Sequence, residues 1–242
     1  MSATEGADRS PVEAYRHTPM PDPATPWREA SLCVLDLETT GLDRPDDEIV
    51  AFATMPIDGG RGRVRGAHSR LVRPRRMPGP ASIRIHGLRP EDLIDAPALS
   101  EVLDELLVAL TGRVLVAHVA SLEERLLRRA MLAAGVSFHN PVIDTHALAA
   151  ELYWRRRTSG PEAVQLAGLA RELRLPVHRP HDAAGDVLTT AQVFLALATD
   201  LDAIEPQTIG SLCGLRDRFD PWPTLRRALR HRRRRRATRA MD

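Results

Sequence analysis

Residues 32–42 read LCVLDLETTGL, an apolar run that leads into two carboxylates. Leu32 to Leu35 predict a buried strand, because a short continuous apolar run is typical of a strand covered on both faces. Side chains two residues apart on a strand share a face, so Asp36 and Glu38 should lie together at its carboxyl end. Like charges on a buried face repel unless a cation neutralises them, which indicates a metal site. A solvated strand end remains the alternative, because an Asp-x-Glu triplet arises by chance about once in a chain of this length.

A second acidic stretch follows another predicted strand. Residues 114–117 (VLVA) predict that strand, and residues 121–124 (SLEE) predict a capping box that opens a helix. Glu124 is then expected to reach back to the cap residue Ser121, which leaves Glu123 just beyond the carboxyl end of the strand. Ligands bind at that edge in open α/β sheets. The alternative for Glu123 is an exposed first-turn acid favoured by the helix dipole.

The third stretch, HDAAGDV at residues 181–187, opens the last strong helix. Asp182 is expected to cap this helix, Asp186 falls in its first turn, and His181 lies on the loop ahead of it. An imidazole titrates near neutral pH and can serve as a general base. A single loop histidine is more often a surface residue, so a catalytic His181 depends on the carboxylates around it.

Together the three stretches supply four carboxylates and one histidine. Hard divalent ions such as Mg²⁺ prefer carboxylate oxygens, and a pair of such ions can stabilise both the attacking and the leaving oxygen of a phosphodiester. The histidine would activate the water. The pattern therefore predicts a metal-dependent hydrolase of phosphodiesters.

The motifs DLETTGL, HVASLEERLL and HDAAGDV, in this order, resemble the three exonuclease motifs of the DnaQ-like superfamily, in its subgroup with a histidine in the third motif (DEDDh-type). That subgroup contains the proofreading epsilon subunits of bacterial DNA polymerase III. The segments SIRIHGLRPEDLIDAP and PVIDTHALAAEL also resemble parts of the family. The resemblance extends over roughly residues 32–198.

The resemblance implies a 3′→5′ exonuclease that releases nucleoside 5′-monophosphates from the 3′ end of DNA. It implies that two divalent ions, Mg²⁺ or Mn²⁺, are held by Asp36, Glu38, Glu123 and Asp186. His181 would deprotonate the attacking water. The residues expected to contact or adjoin the 3′-terminal nucleotide are Thr39, Thr40, Gly41, Leu42, His86 and His118.

One motif departs from the family pattern. The second motif of the family usually reads His-Asn-Ala-x-Phe-Asp, and here Val119, Leu122 and Glu123 stand at its asparagine, phenylalanine and aspartate positions. Glutamate reaches one methylene further, so the helix or the second ion must shift by roughly an ångström. Two alternatives remain open: an exoribonuclease of the same fold, and a nucleic-acid-binding or polymerase accessory module that does not cut.

The expected fold is α/β. The resemblance implies a ribonuclease H-like architecture, a mixed five-stranded sheet of order 3-2-1-4-5 flanked by helices. The hydrophobic pattern predicts strands at 32–39, 49–57, 64–72, 114–117 and 142–144. It predicts helices at 100–110, 122–134, 145–154, 164–173 and 184–198.

Composition divides the 242 residues into four parts. Residues 1–29 contain five prolines and predict a disordered leader, 30–200 the exonuclease domain, 201–225 a docking or partner-binding segment, and 226–242 a disordered basic tail. The tail carries 9 of the 34 basic residues, which leaves 25 basic and 31 acidic residues in 1–225. Only two cysteines, and no stretch resembling a membrane span, favour the cytoplasm.

The expected partner is a nucleic acid with a free 3′ end, single-stranded DNA in the first place, and no membrane. Arg155, Arg156 and Arg157 are candidates for phosphate contacts, and the tail either tethers substrate or is merely solvated. Residues 207–212 (QTIGSL) faintly resemble a sliding-clamp-binding peptide, so a DNA polymerase or clamp is a possible partner. A short helix packed on the core explains the same pattern.

Overall fold

A mixed six-stranded sheet forms the centre of the molecule in a computed structural model that describes residues 9–42, 44, 46–158 and 165–219. The long strand β1 pairs antiparallel with β2 and parallel with β5, and β5 pairs parallel with β6. The strands are β1 Leu32–Thr39, β2 Ile49–Asp58, β3 Arg61–Gly62, β4 His68–Leu71, β5 Val114–Ala117 and β6 Val142–Asp144.

The strand order is β3-β2-β1-β5-β6, with β4 also paired to β2. The predicted order is therefore confirmed, but the predicted third strand at 64–72 is wrong in detail. Residues 64–72 consist of a 3₁₀ turn at Val64–Gly66 followed by β4, and β3 lies just before them, so the sheet has six strands where five were predicted. Pro56 in β2 has no N–H to offer a partner strand, which explains why the ladder is interrupted there.

Helices lie on both faces of the sheet. Those within the described residues are α1 Pro11–His17, α2 Pro80–His86, α3 Pro90–Leu93, α4 Leu99–Leu110, α5 Ser121–Ala133, α6 Thr145–Arg156, α7 Leu166–Glu172, α8 Ala183–Ile204 and α9 Ile209–Phe219. The helices predicted at 100–110, 122–134, 145–154, 164–173 and 184–198 correspond to α4, α5, α6, α7 and α8. Helix α8 runs past the predicted domain boundary at residue 200.

The sheet has an apolar cluster on each face. Cys33, Leu35 and Leu37 of β1 pack with α4 and α5, while Leu32 and Val34 pack with α6 and α8. Because side chains alternate along a strand, Asp36 and Glu38 continue the face that carries α8. This alternation places both carboxylates beside the first turn of α8.

The predicted disordered leader at 1–29 is wrong for residues 9–29; residues 1–8 lie outside the described part. Ser10 caps α1 in a complete capping box, and Tyr15 is fully buried with its hydroxyl 2.5 Å from Asn140 Oδ1. Trp27 is 1% exposed and meets Phe194 edge to face. The segment lacks periodicity of its own, and its order comes from partners more than 120 residues away in sequence.

The segment predicted to dock, 201–225, docks on its own chain as far as residue 219. Helix α9 packs against α6 and β6 and buries Ile209, Leu212 and Leu215. Gln207, the first residue of the clamp-like peptide, is 5% exposed. The peptide therefore has its key side chains in the core, as in the packed-helix alternative. Residues 220–225 and the basic tail lie outside the described residues.

Helix α8 is, by length and composition, apolar enough to cross a membrane, contrary to the sequence expectation. Half of its apolar stretch is buried inside the protein. The helix contacts α6, α7, β1 and β2, which accounts for its apolar character as that of a core helix.

Candidate active site

Three carboxylates from β1 and α8 meet at the carboxyl end of β1. Oxygen atoms of Asp36, Glu38 and Asp186 all lie within 4.8 Å of one another. The strand supplies the first two by its alternation, and the first turn of α8 supplies the third. Asp182 caps α8 as predicted, accepting the Gly185 N–H at 3.1 Å.

The electrostatics of this triad favour a bound cation. Burial raises the pKa of Asp36 well above its ordinary value, and the charges of Glu38, Asp186 and Glu123 raise it further. Burial and the charge of Asp186 also raise the pKa of Glu38 to about 8. A divalent cation would convert this repulsion into attraction, and three oxygen ligands within reach of one point suit Mg²⁺ or Mn²⁺.

His181 lies on the loop beside Asp186. Its backbone N–H donates to Asp186 Oδ2 at 2.9 Å, and its own φ is +60°. The pKa of Asp186 is raised, chiefly by burial, while the hydrogen bond from His181 opposes the shift. The imidazole is exposed at the mouth of a cleft of about 160 Å³, which Glu38 and His86 also line.

The loop that carries His181 depends on a glycine. A Cβ at Gly185 would lie 2.3 Å from the Arg179 carbonyl oxygen, closer than any side chain permits. Gly185 thus allows the loop to approach the first turn of α8.

Glu123 lies at the start of α5, outside the group of three but electrostatically coupled to it. Its side chain is 5% exposed, and its Oε2 is buried without a hydrogen-bond partner among the described residues. Burial, together with Asp144 and Glu38, raises its pKa to about 8. The alternative that Glu123 is an exposed first-turn acid is therefore excluded, and its carboxylate is available to a ligand.

The predicted capping box at Ser121 is wrong. Helix α5 begins at Ser121 itself, and its N-cap is Ala120, which has no side-chain acceptor. The Glu124 N–H donates to the Ala120 carbonyl at 2.9 Å, as in a regular helix, and the Glu124 side chain forms ion pairs. It pairs with Arg128 one turn later and with Arg216 of α9.

Asp144 is a site residue that the sequence reasoning missed. It is fully buried at the end of β6 and accepts N–H groups from Val119 at 2.9 Å, Ala120 at 3.0 Å and His146 at 2.9 Å. These bonds fix the turn between β5 and α5, from which Glu123 projects. The available signal was the position of Asp144 directly before the helix predicted at 145–154, since aspartate is a preferred N-cap.

The stretch from Thr39 to Leu42, expected to contact the 3′-terminal nucleotide, is stabilised by one internal hydrogen bond and by two from other segments. The Thr39 hydroxyl donates to the Gly41 carbonyl at 2.9 Å, and Thr40 Oγ1 accepts the Glu48 N–H at 2.9 Å. Arg125 of α5 donates to the Leu42 carbonyl at 3.2 Å. The stretch is thereby held between the triad and α5.

The two expected histidines occupy different surroundings. His86 Nδ1 accepts the Leu88 N–H at 3.0 Å, so the ring proton lies on Nε2, and burial lowers the pKa of His86. A hydrogen bond with the Thr39 backbone opposes this shift and ties the ring to the carboxyl end of β1. His118 Nδ1 lies 2.8 Å from Thr145 Oγ1 at the start of α6.

The arginines proposed for phosphate contacts are largely engaged elsewhere. Arg155 pairs with Glu151 at 2.6 Å and with Glu205 at 3.0 Å, and Arg156 pairs with Asp200 at 2.9 Å. Both arginines lie at the C-terminal end of α6, roughly 15 Å along the helix axis from its first residue, Thr145. This position does not favour contact with a substrate at the triad.

Comparison with known proteins places this geometry in context. The profile of the RNase T family, described as exonuclease, matches residues 33–194. A DNA polymerase III subunit epsilon-like protein of Rhodobacter capsulatus is 36% identical over 191 residues, which cover 78% of this chain and 26% of that protein. A PolC-type DNA polymerase III of Thermotoga maritima is 34% identical over 193 residues, covering 79% and 14% respectively.

A solved structure extends the likeness to three dimensions. Exonuclease X in complex with 5′ overhanging duplex DNA superposes with a TM-score of 0.58 and 25% sequence identity, covering 76% of this chain and 98% of that one. The chain thus spans about a quarter or less of the two sequence relatives but nearly all of the solved structure. The fold of the described residues agrees with the ribonuclease H-like expectation.

Proposed function

We propose that this chain, which belongs to the RNase T family of exonucleases, is a metal-dependent 3′→5′ exonuclease acting on DNA and releasing nucleoside 5′-monophosphates. The observation that carries the proposal is the meeting of Asp36, Glu38 and Asp186 within 4.8 Å, beside His181. Three carboxylates this close, one buried and two half-buried, repel one another strongly unless a cation is bound between them.

Asp36, Glu38 and Asp186 would hold the divalent ions, with Glu123 as the further ligand. When bound, Mg²⁺ or Mn²⁺ would neutralise the carboxylates and stabilise the negative charge that develops on the phosphate. Asp36 is electrostatically coupled to Glu38, Asp186 and Glu123, so it would take part in holding any ion that these carboxylates bind.

His181 would act as the general base. The backbone N–H of His181 is hydrogen-bonded to Asp186, which keeps the His181 ring close to the triad. The ring could therefore accept a proton from the attacking water. The stretch from Thr39 to Leu42 would seat the terminal nucleotide, and His86, which is hydrogen-bonded to the Thr39 backbone, would adjoin that nucleotide. His118 would support the start of α6.

DNA is proposed as the substrate because the sequence relatives are named as DNA polymerase III proteins and the solved relative is bound to DNA. The same names motivate a replication or repair setting in the cytoplasm, with a DNA polymerase as the partner. Binding of a sliding clamp through residues 207–212 is not proposed, because Gln207, Ile209 and Leu212 are buried.

A 5′-labelled single-stranded oligonucleotide tests the proposal. With Mg²⁺ or Mn²⁺, we expect a ladder of products shortened from the 3′ end, loss of activity with EDTA, and protection by a 3′-phosphate. A parallel RNA oligonucleotide distinguishes the exoribonuclease alternative. Activity unaffected by EDTA, or cleavage from the 5′ end, would contradict the proposal.

A non-catalytic binding module is the second candidate, and the position of Glu123 outside the close group of three favours it. Glu123→Gln and Glu123→Asp separate the two. In an enzyme, the Gln variant should lose activity by orders of magnitude while the Asp variant keeps a measurable fraction, because only the latter retains the charge. A wild type that binds 3′ ends but cuts with neither metal would establish the binding module.

A further inference from the structure

Helix α9, the last element within the described residues, places a guanidinium group beside the helix that carries Glu123. Arg216 of α9 forms an ion pair with Glu124 Oε2, and the two side chains are only 22% and 14% exposed. Glu124 directly follows Glu123 in the first turns of α5. Residues 209–219 lie beyond the part of the chain that the family profile matches, which ends at residue 194.

Helix α9 is firmly seated, so its side chains occupy defined positions. Its apolar face is buried against α6 and β6. At its start, the Ile209 N–H donates to the Thr25 carbonyl at 3.0 Å, and the Gly210 N–H donates to the Pro23 carbonyl at 2.7 Å. A Cβ at Gly210 would lie 3.0 Å from that same Pro23 oxygen, which shows how closely the two segments meet.

Glu124 is held from two directions. Within α5, Arg128 Nη2 lies 2.6 Å from Glu124 Oε1 and Nε lies 2.8 Å from it. Arg216 takes the other oxygen from outside the helix. The first turn of α5 has no side-chain cap. The ion pair between Arg216 and Glu124 is therefore the contact through which α9 restrains this turn. The charge of Arg216 also acts on Glu123 itself.

We propose that Arg216 is a positioning residue that, through Glu124, fixes the first turn of α5 so that the Glu123 carboxylate faces the triad. The inference rests on the proposed function and deepens it. Glutamate has one more rotatable bond than aspartate, so a glutamate ligand needs a better-fixed backbone to present its oxygens in one place. Arg216 would supply this restraint from outside the family domain.

The test compares Arg216→Gln with Arg218→Gln. Arg218 lies two residues further along the same helix and pairs with Glu151 of α6 at 3.1 Å, so it shares the docking role of Arg216 without pairing with α5. Mn²⁺ binding is measured by titration calorimetry, and the Mn²⁺ concentration for half-maximal DNA cleavage is measured alongside it. Thermal unfolding shows whether α9 remains docked.

We expect Arg216→Gln to weaken Mn²⁺ binding by roughly 10-fold or more, the usual effect of losing a residue that orients a ligand. The KM for DNA should stay near the wild-type value at saturating metal, and Arg218→Gln should bind Mn²⁺ as wild type does. Arg216→Lys should recover part of the loss. If Arg216→Gln fails to fold, Glu124→Gln removes the same ion pair from the other side, together with the pair to Arg128, and should weaken Mn²⁺ binding by at least as much.

Equal Mn²⁺ affinity in wild type, Arg216→Gln and Glu124→Gln would overturn the inference. The calorimetric result does not depend on cleavage. A wild type that binds Mn²⁺ but never cuts would therefore refute the proposed function alone, and the difference between the two arginine variants would still decide the role of Arg216.

Discussion

In the metal-free protein, the charged form of each carboxylate at this site is destabilised. Burial and mutual repulsion raise the pKa of Asp36, Glu38, Glu123 and Asp186 together. A cluster of raised carboxyl pKa values is typical of functional sites, because burial and neighbouring charges are arranged there to shift the pKa. The metal-free protein should therefore become more stable when one of these charges is removed.

Asp36→Asn is expected to abolish cleavage while raising the melting temperature in EDTA. The substitution keeps the shape of the side chain and removes a ligand with its repulsion, so activity should fall by at least about 10³-fold. Asp104→Asn, on the exposed side of α4, is the control for stability. A variant that melts below wild type in EDTA would show that Asp36 stabilises the fold by another route.

The pH dependence of the melting temperature should reveal the raised pKa of Glu38. Its folded pKa of about 8 exceeds its ordinary value of 4.5, so the folded state holds a proton that the unfolded state releases in this window. Stability from this group is thus present below pH 4.5 and lost as the pH rises towards 8. Relative to Glu38→Gln, metal-free wild type should lose melting temperature steadily between these values, and saturating Mg²⁺ should reduce the difference. A pH-independent difference would contradict the shift.

At the scale of elements, two turns set the geometry of the site. The turn from β5 into α5 has Val119 at φ +57°, and the loop into α8 requires Gly185 under the Arg179 carbonyl. A left-handed conformation is a marked outlier for a β-branched residue, whereas asparagine tolerates it. The family pattern has asparagine at this position, so the departure in the second motif has a conformational cost here.

Val119→Asn should therefore raise the free energy of unfolding by about 1 kcal/mol. Val119 is 9% exposed but belongs to neither core cluster, and its N–H bond to Asp144 is a backbone bond that the substitution keeps. Urea unfolding measures the change. Val119→Thr, which is also β-branched, is the control and should show no gain; an equal gain in both variants would rule out relief of strain.

Gly185→Ala should displace the loop that carries His181. The added Cβ would meet backbone, which cannot rotate away, and a misplacement of about an ångström can lower kcat by roughly 10²-fold. Gly214→Ala in α9 is the matched control, because no atom lies within 4 Å of the added Cβ. Cleavage rates at saturating metal measure the effect, and an unchanged kcat would show that the loop can yield without cost.

In the molecule as a whole, the chain before β1 and the chain after α8 close on each other. The Trp27 N–H donates to the Gln207 carbonyl at 3.2 Å, and Pro26 bridges to Thr208. Tyr15 reaches Asn140, whose amide also donates to the carbonyls of Leu110 and Arg113. These contacts make the N-terminal segment part of the folded body and support the position of α9.

Trp27→Ala should destabilise the protein by about 3–5 kcal/mol, the usual cost of deleting a buried aromatic side chain. Trp154→Ala is the control, since Trp154 is 63% exposed and contacts chiefly the Arg218 guanidinium. Denaturant unfolding of both variants provides the comparison. Similar losses for the two would mean that the N-terminal segment contributes little to the core.

Local periods in the sequence were enough to predict the four long helices and the shared face of Asp36 and Glu38, because strand side chains repeat every two residues and a capped helix has a defined first turn. The sheet order and the approach of Asp186 to that face were implied by the family resemblance. The partners of Glu124, the role of Asp144 and the order of residues 9–29 became clear from the tertiary structure alone. Glu124 and Arg216 are 92 positions apart, and Tyr15 and Asn140 are 125 apart. Contacts at such separations depend on how elements pack, for which the residues themselves carry no local signal.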